Sequence, residues 1–115
     1  MRHWRIVPVS VVIVETSVFT RQVLALFSDD EHRELQAALV KRPDLGTVIK
    51  GSGGLRKIRW GAKSKGKRGG VRVIYFWAVV PERLLMLFLY PKNERADLSP
   101  QQLKVLRSII EDEYP

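Results

Sequence analysis

Cysteine is absent from the 115 residues. That excludes a disulfide framework, a thiolate zinc site and a cysteine nucleophile. Histidine occurs twice, at His3 and His32, too few for a histidine-rich metal site. Long apolar runs are also missing. Stretches such as Leu84–Tyr90 fall far short of the roughly 20 residues that a spanning helix needs. The beginning of the chain, Met1–Val14, superficially resembles a signal peptide, with Arg2 and Arg5 ahead of an apolar stretch. Pro8 interrupts that stretch, Glu15 follows it, and no small-residue cleavage site is present. It reads as a lead-in followed by a buried strand, and the expected compartment is the cytoplasm. Acidic residues are missing from one long window: none lies between Leu45 and Pro81.

What remains is strongly basic. The net charge is +8 and the isoelectric point about 10.2. The acid-free window contains nine bases: Lys50, Arg56, Lys57, Arg59, Lys63, Lys65, Lys67, Arg68 and Arg72. The other 11 bases face 12 acids, so the excess comes from that one stretch. Charge concentrated in this way is the footprint of a phosphate-binding surface, and composition points to a polyanionic partner. A 45% hydrophobic content and this length suit one domain with its own core, taken as residues 1–115 with 1–8 as an N-terminal extension.

The β-branched run Val9–Val14 predicts a strand. Thr16 or Ser17 is placed to cap a helix to about Phe27, with Phe19, Val23, Leu24 and Phe27 on one stripe. Ser28 and Glu31 form a capping-box pattern opening a second helix, with Leu35, Ala38 and Leu39 inward and Pro43 as its stop. A glycine-rich loop, Asp44–Gly54, precedes a strand at Leu55–Trp60. A basic loop, Gly61–Gly70, leads to strands at Val71–Val80 and Leu84–Tyr90, both apolar at both parities and so covered on both faces. Ser99-Pro100 starts a last helix with Leu103, Leu106, Ile109 and Ile110 buried. The expected class is α+β: a small, mostly antiparallel sheet in the order β-α-α-β-β-β-α.

Alternation along Leu55–Trp60 puts Lys57 and Arg59 on one face and Arg56, Ile58 and Trp60 on the other. The hairpin through the basic loop returns Arg72 beside Lys57 and Arg59. The expected product is a cluster of cations without an internal counter-charge, favourable only when an anion fills it. On charge alone, a solvated basic hairpin making purely electrostatic contacts is an equal alternative.

Three blocks carry a resemblance. They are Gly54-Leu55-Arg56-Lys57-Ile58-Arg59, then Gly66-Lys67-Arg68-Gly69-Gly70-Val71-Arg72-Val73-Ile74-Tyr75, then Tyr90-Pro91-Lys92-Asn93-Glu94-Arg95-Ala96-Asp97-Leu98. In order and spacing they resemble the RelE/HigB superfamily of toxins, nearest to a HigB-like subgroup, from about Val12 to Ile110. The sequence departs in its longer beginning, Met1–Ser10, and in Pro91 where a glycine is usual. It also has Asn93 where relatives carry an arginine and Ser99 where they carry a tyrosine.

The resemblance implies a RelE-like microbial ribonuclease-type fold and the toxin of a type II toxin–antitoxin system. Such toxins enter the A site of the small ribosomal subunit, among its rRNA, and cut the mRNA there. A ribose 2′-hydroxyl attacks the adjacent phosphate, leaving a 2′,3′-cyclic phosphate and a 5′-hydroxyl. The catalytic positions implied are Lys57, Arg59 and Arg72. Arg68 is added as a second guanidinium able to clamp phosphate oxygens, and Lys92 and Asn93 as occupants of the general-acid region, for which Tyr90 is another candidate. Lys57, crowded by cations, is the candidate base. Arg56, Lys63, Lys65, Lys67 and Trp60 are expected to bind RNA, Trp60 either by stacking or merely as core. No cofactor or metal is expected. The implied partner is a cognate antitoxin with a helix-turn-helix domain, through which alone operator DNA would be met. The rival reading is a non-catalytic RNA-binding or antitoxin-binding paralogue.

Elsewhere the reading is bland. Trp77 and Tyr75 are expected in the core, and His32, beside Glu31 and Glu34, is expected to be solvated. Glu94 and Asp97 are expected to pair with Lys92 or Arg95 or to be surface charge.

Overall fold

The computed structural model describes residues 11–62, 67–80, 82–92 and 97–113. Its elements are β1 (Val12–Glu15), α1 (Ser17–Leu26), α2 (Asp29–Lys41), β2 (Thr47–Val48), β3 (Leu55–Ala62), β4 (Lys67–Ala78), β5 (Arg83–Pro91) and α3 (Pro100–Glu113). The strands form one sheet in the order β1-β5-β4-β3-β2. Its neighbours are antiparallel except β1 with β5, which is parallel. The class is α+β, as expected. The order differs by one two-residue strand, β2, inside the segment expected to be a glycine-rich loop.

The helix starts form where the capping residues stand. The Thr16 hydroxyl accepts from the Phe19 N–H at 3.0 Å, and Ser28 and Glu31 close a full capping box. Ser99 and Gln102 do the same ahead of α3. Each cap satisfies backbone donors that the first turn leaves without partners.

The sheet is covered on both faces. On one face α1 and α2 bury Phe19, Val23, Phe27, Leu35 and Leu39 against Val71, Val73, Tyr75, Leu84, Met86 and Leu89. On the other, α3 buries Leu106 and Ile110 against Leu55, Ile74, Leu85, Leu87 and Tyr90. This explains why β4 and β5 are apolar at both parities. Some stripe residues fall outside the core. Leu24 is 69% exposed and Ile109 37%, because each lies at the margin of its helix's contact face. Val79 and Val80, expected in a strand, lie in the turn after β4 and are exposed. β1 is not a buried strand either. It lies at the sheet margin with Val12 and Val14 exposed, and the expected lead-in, 1–8, and the first two residues of the expected strand, Val9 and Ser10, lie outside the described residues. Among the described residues no helix is long and apolar enough to cross a membrane.

One irregularity positions the site. Ile74 pairs with Phe88, but the next residue, Tyr75, pairs with Met86, so Leu87 is an extra residue on β5. Without this bulge Tyr90 would share the face of Leu84 and Met86. The bulge reverses the alternation and turns Tyr90 to the α3 face.

Candidate active site

Three cations and a phenol converge on the α3 face of β3, β4 and β5. Arg59 pairs across the ladder with Arg72, and Arg72 pairs with Tyr90. Directly paired residues share a face, so Arg59, Arg72 and Tyr90 form a row across three strands. Lys57 lies two residues before Arg59, on the same face, opposite Ile74.

Arg72 sits in the middle of the row. Its Nη1 is buried and has no hydrogen-bond partner among the described residues. A guanidinium N–H withdrawn from water and left unsatisfied is costly. Placing Arg59 directly across from it adds like-charge repulsion. An anion over the row relieves the repulsion between the two guanidiniums. The arrangement is suited to a phosphate, which a guanidinium grips with two parallel N–H bonds.

Beside the row, Lys57, Tyr90 and Asp97 line a small cleft of about 110 Å³ with apolar Ile49, Ile74 and Leu103. The Lys57 ammonium lies 3.3 Å from Asp97 Oδ1. This corrects two expectations. The cation cluster has a counter-charge after all, and the observed partner of Asp97 is Lys57, 40 residues away. The acid-free window hid this because the acid comes from the segment that leads into α3. With a carboxylate at hand, crowding by cations no longer singles out Lys57 as a base.

The two parities of β3 separate the other expected residues. Arg56 lies on the opposite face, where Nη1 donates to the carbonyls of Gly46 at 2.8 Å and Asp44 at 3.3 Å. It braces the loop after α2. Trp60 packs against the core of the α1 and α2 face, beside Glu31 and Glu34. Neither meets the Arg59–Arg72 row. Lys92 follows β5 directly, exposed, with its N–H donating to the Gly70 carbonyl at 3.2 Å. Lys67 and Arg68 open β4, but their side chains lie outside what is described, and so do Lys63, Lys65 and Asn93.

Three residues read as bland have defined roles. Tyr75 is fully buried. Its hydroxyl donates to the Pro43 carbonyl at 2.7 Å and accepts from the Gly46 N–H at 2.8 Å. Burial raises its pKa above the ordinary 10.0, the Gly46 hydrogen bond working against it. His32 is not simply solvated: Nε2 lies 2.7 Å from Glu15 Oε2 and the pair is largely shielded. Trp77 is partly buried against the core.

A family model described as the RelE toxin of the RelE / RelB toxin-antitoxin system matches residues 17–113. The match runs from the first residue of α1 to the last of α3 and takes in every described residue of the row and cleft.

Proposed function

The chain belongs to the RelE toxin family, and from that premise we propose that this toxin is a metal-independent endoribonuclease that cuts mRNA in the ribosomal A site. As the toxin of a toxin–antitoxin system it has a cognate antitoxin as its partner. We assign it to the cytoplasm as a single domain, with a HigB-like pattern of residues, and expect the antitoxin to carry the operator-binding helix-turn-helix.

The observation that carries the reading is the buried, unsatisfied Nη1 of Arg72 between Arg59 and Tyr90. In-line attack by a 2′-hydroxyl builds negative charge on the equatorial oxygens of a pentavalent phosphorus. In this reading Arg72 and Arg59, paired across the ladder, hold that charge. Lys57, at the edge of the row, adds a third cation. A proton must leave the 2′-hydroxyl and another must reach the departing 5′ oxygen. Tyr90 bears a phenolic O–H on the same face and is our candidate for one transfer; Lys57, once released from Asp97, is our candidate for the other. Arg68, Lys92 and Asn93 flank the row in sequence, and the basic residues Lys63, Lys65 and Lys67 of the β3–β4 hairpin supply affinity for the RNA backbone.

The test is primer extension on mRNA translated in a reconstituted system, with and without ribosomes, comparing the wild type with Arg72→Ala. Cuts that need both ribosomes and Arg72 support the reading. Cuts on naked RNA overturn the ribosome requirement. RNA binding without cuts in either tube overturns the enzyme.

A further inference from the structure

We propose that Asp97 is a built-in stand-in for the substrate phosphate: its carboxylate occupies the Lys57 ammonium until RNA displaces it. The inference rests on the reading above only for the identity of the incoming anion.

The geometry carries it. The 3.3 Å Lys57–Asp97 pair lies at the cleft that adjoins the Arg59–Arg72–Tyr90 row. The pair is lopsided in exposure: the Lys57 side chain is 41% exposed and that of Asp97 74%. An exposed pair of this kind is weak and screened by salt. Asp97 can therefore swing into water at small cost while Lys57 stays on its strand. The ladder holds the backbones of Arg59 and Arg72 side by side, and a phosphodiester meeting their side chains draws the third cation by the same attraction that Asp97 now exerts. The lead-in to α3 thus lowers RNA affinity in exchange for a site that is less self-repulsive when it stands alone.

Counterion accounting gives a test that does not depend on cleavage. When Lys57 leaves Asp97 for a phosphate, the RNA releases a cation, but an ion pair that salt already weakens must first be broken. The contribution of Lys57 to the salt dependence is thereby blunted, because the competing pair weakens as salt rises. With Asp97→Asn that competition is gone, and the slope of log K against log[salt] should steepen by up to about 0.7, the whole contribution of one contact to a single strand. Affinity at low salt should rise about two- to five-fold, the range of an exposed ion pair.

The measurement is fluorescence anisotropy of a short single-stranded RNA, labelled at one end, across a salt series. The proteins are the wild type, Asp97→Asn, Lys57→Ala, the double variant, and Asp112→Asn in α3 as a control for loss of one remote negative charge. The expected result is a steeper slope for Asp97→Asn when Lys57 is present, none in the Lys57→Ala background, and no change for Asp112→Asn. An unchanged slope, an equal change in both backgrounds, or weaker binding by Asp97→Asn overturns the proposal. Primer extension with the same proteins judges the ribonuclease separately. A chain that shows the slope pattern yet cuts nothing loses the enzyme and keeps the displaced carboxylate.

Discussion

Arg59 and Arg72 face each other directly across the β3–β4 ladder, two cations in one cross-strand pair. Such a pair is tolerable in a marginally stable domain only because neighbouring packing outweighs it. Arg72→Met should therefore abolish growth arrest on expression while leaving folding stability unchanged or raised by about 0.5–1 kcal/mol, as expected when a repulsive pair is relieved. Urea unfolding alongside a growth assay checks both halves. A variant that is strongly destabilised would show that Arg72 serves the fold instead. For cleavage itself, removal of this one donor should cost about 10²–10³ in rate.

Arg56 and Arg59 separate scaffold from site on a single strand. Arg56→Ala removes the brace to the Gly46 and Asp44 carbonyls and should cost about 1 kcal/mol of stability, with growth arrest retained. Arg59→Ala should do the reverse, with near-normal unfolding and lost arrest. Paired denaturation and expression assays read the contrast.

Tyr75 ties the loop after α2 to the middle of the sheet. Tyr75→Phe leaves the Gly46 N–H and the Pro43 carbonyl without their partner, at a cost of about 1–3 kcal/mol. Its pH behaviour has a definite sign. With the folded pKa raised above 10.0, the native state keeps this proton longer than the unfolded chain does. The contribution is intact below pH 10 and is lost as pH rises through the folded value. A denaturation series from pH 8 to 12 should show the stability gap between wild type and Tyr75→Phe narrowing at the alkaline end. A gap that widens there would contradict the buried phenol.

Gly70 holds a left-handed conformation, φ 74°, where β4 passes between Trp60 and Lys92. A Cβ there would stand 2.7 Å from the Trp60 carbonyl oxygen, which is rigid ladder backbone. Gly70→Ala should thus destabilise by about 1–3 kcal/mol from strain and overpacking combined. It should also impair growth arrest, since Arg72 lies two residues on. Thermal unfolding is the direct check, and a neutral result would mean that the hairpin shifts freely.

Much of this molecule is legible in the order of its residues. Capping residues stand at Thr16, Ser28 and Ser99, and each helix begins there, because a cap is chemistry between residues three apart. Apolar residues at both parities announced that β4 and β5 are covered on two faces. Alternation along β3 placed Lys57 and Arg59 together and Arg56 and Trp60 apart from them, and the three motif blocks carry the family's pattern in their own order and spacing. These are all consequences of period and local spacing.

Tertiary structure decided what local spacing cannot carry. The two-residue β2 exists only because β3 offers Thr47 and Val48 a ladder to join; its residues are exposed and have no pattern of their own. His32 meets Glu15 because α2 passes the end of β1. Lys57 meets Asp97, 40 residues away in sequence, because β3 and the residues just ahead of α3 lie side by side. Tyr90 reaches Arg72 only through the extra residue at Leu87, since one inserted residue moves every later side chain to the other face. The cations of this site were written into one strand and its neighbour, but their phenol was brought by pairing across the sheet and their counter-charge by the segment ahead of α3.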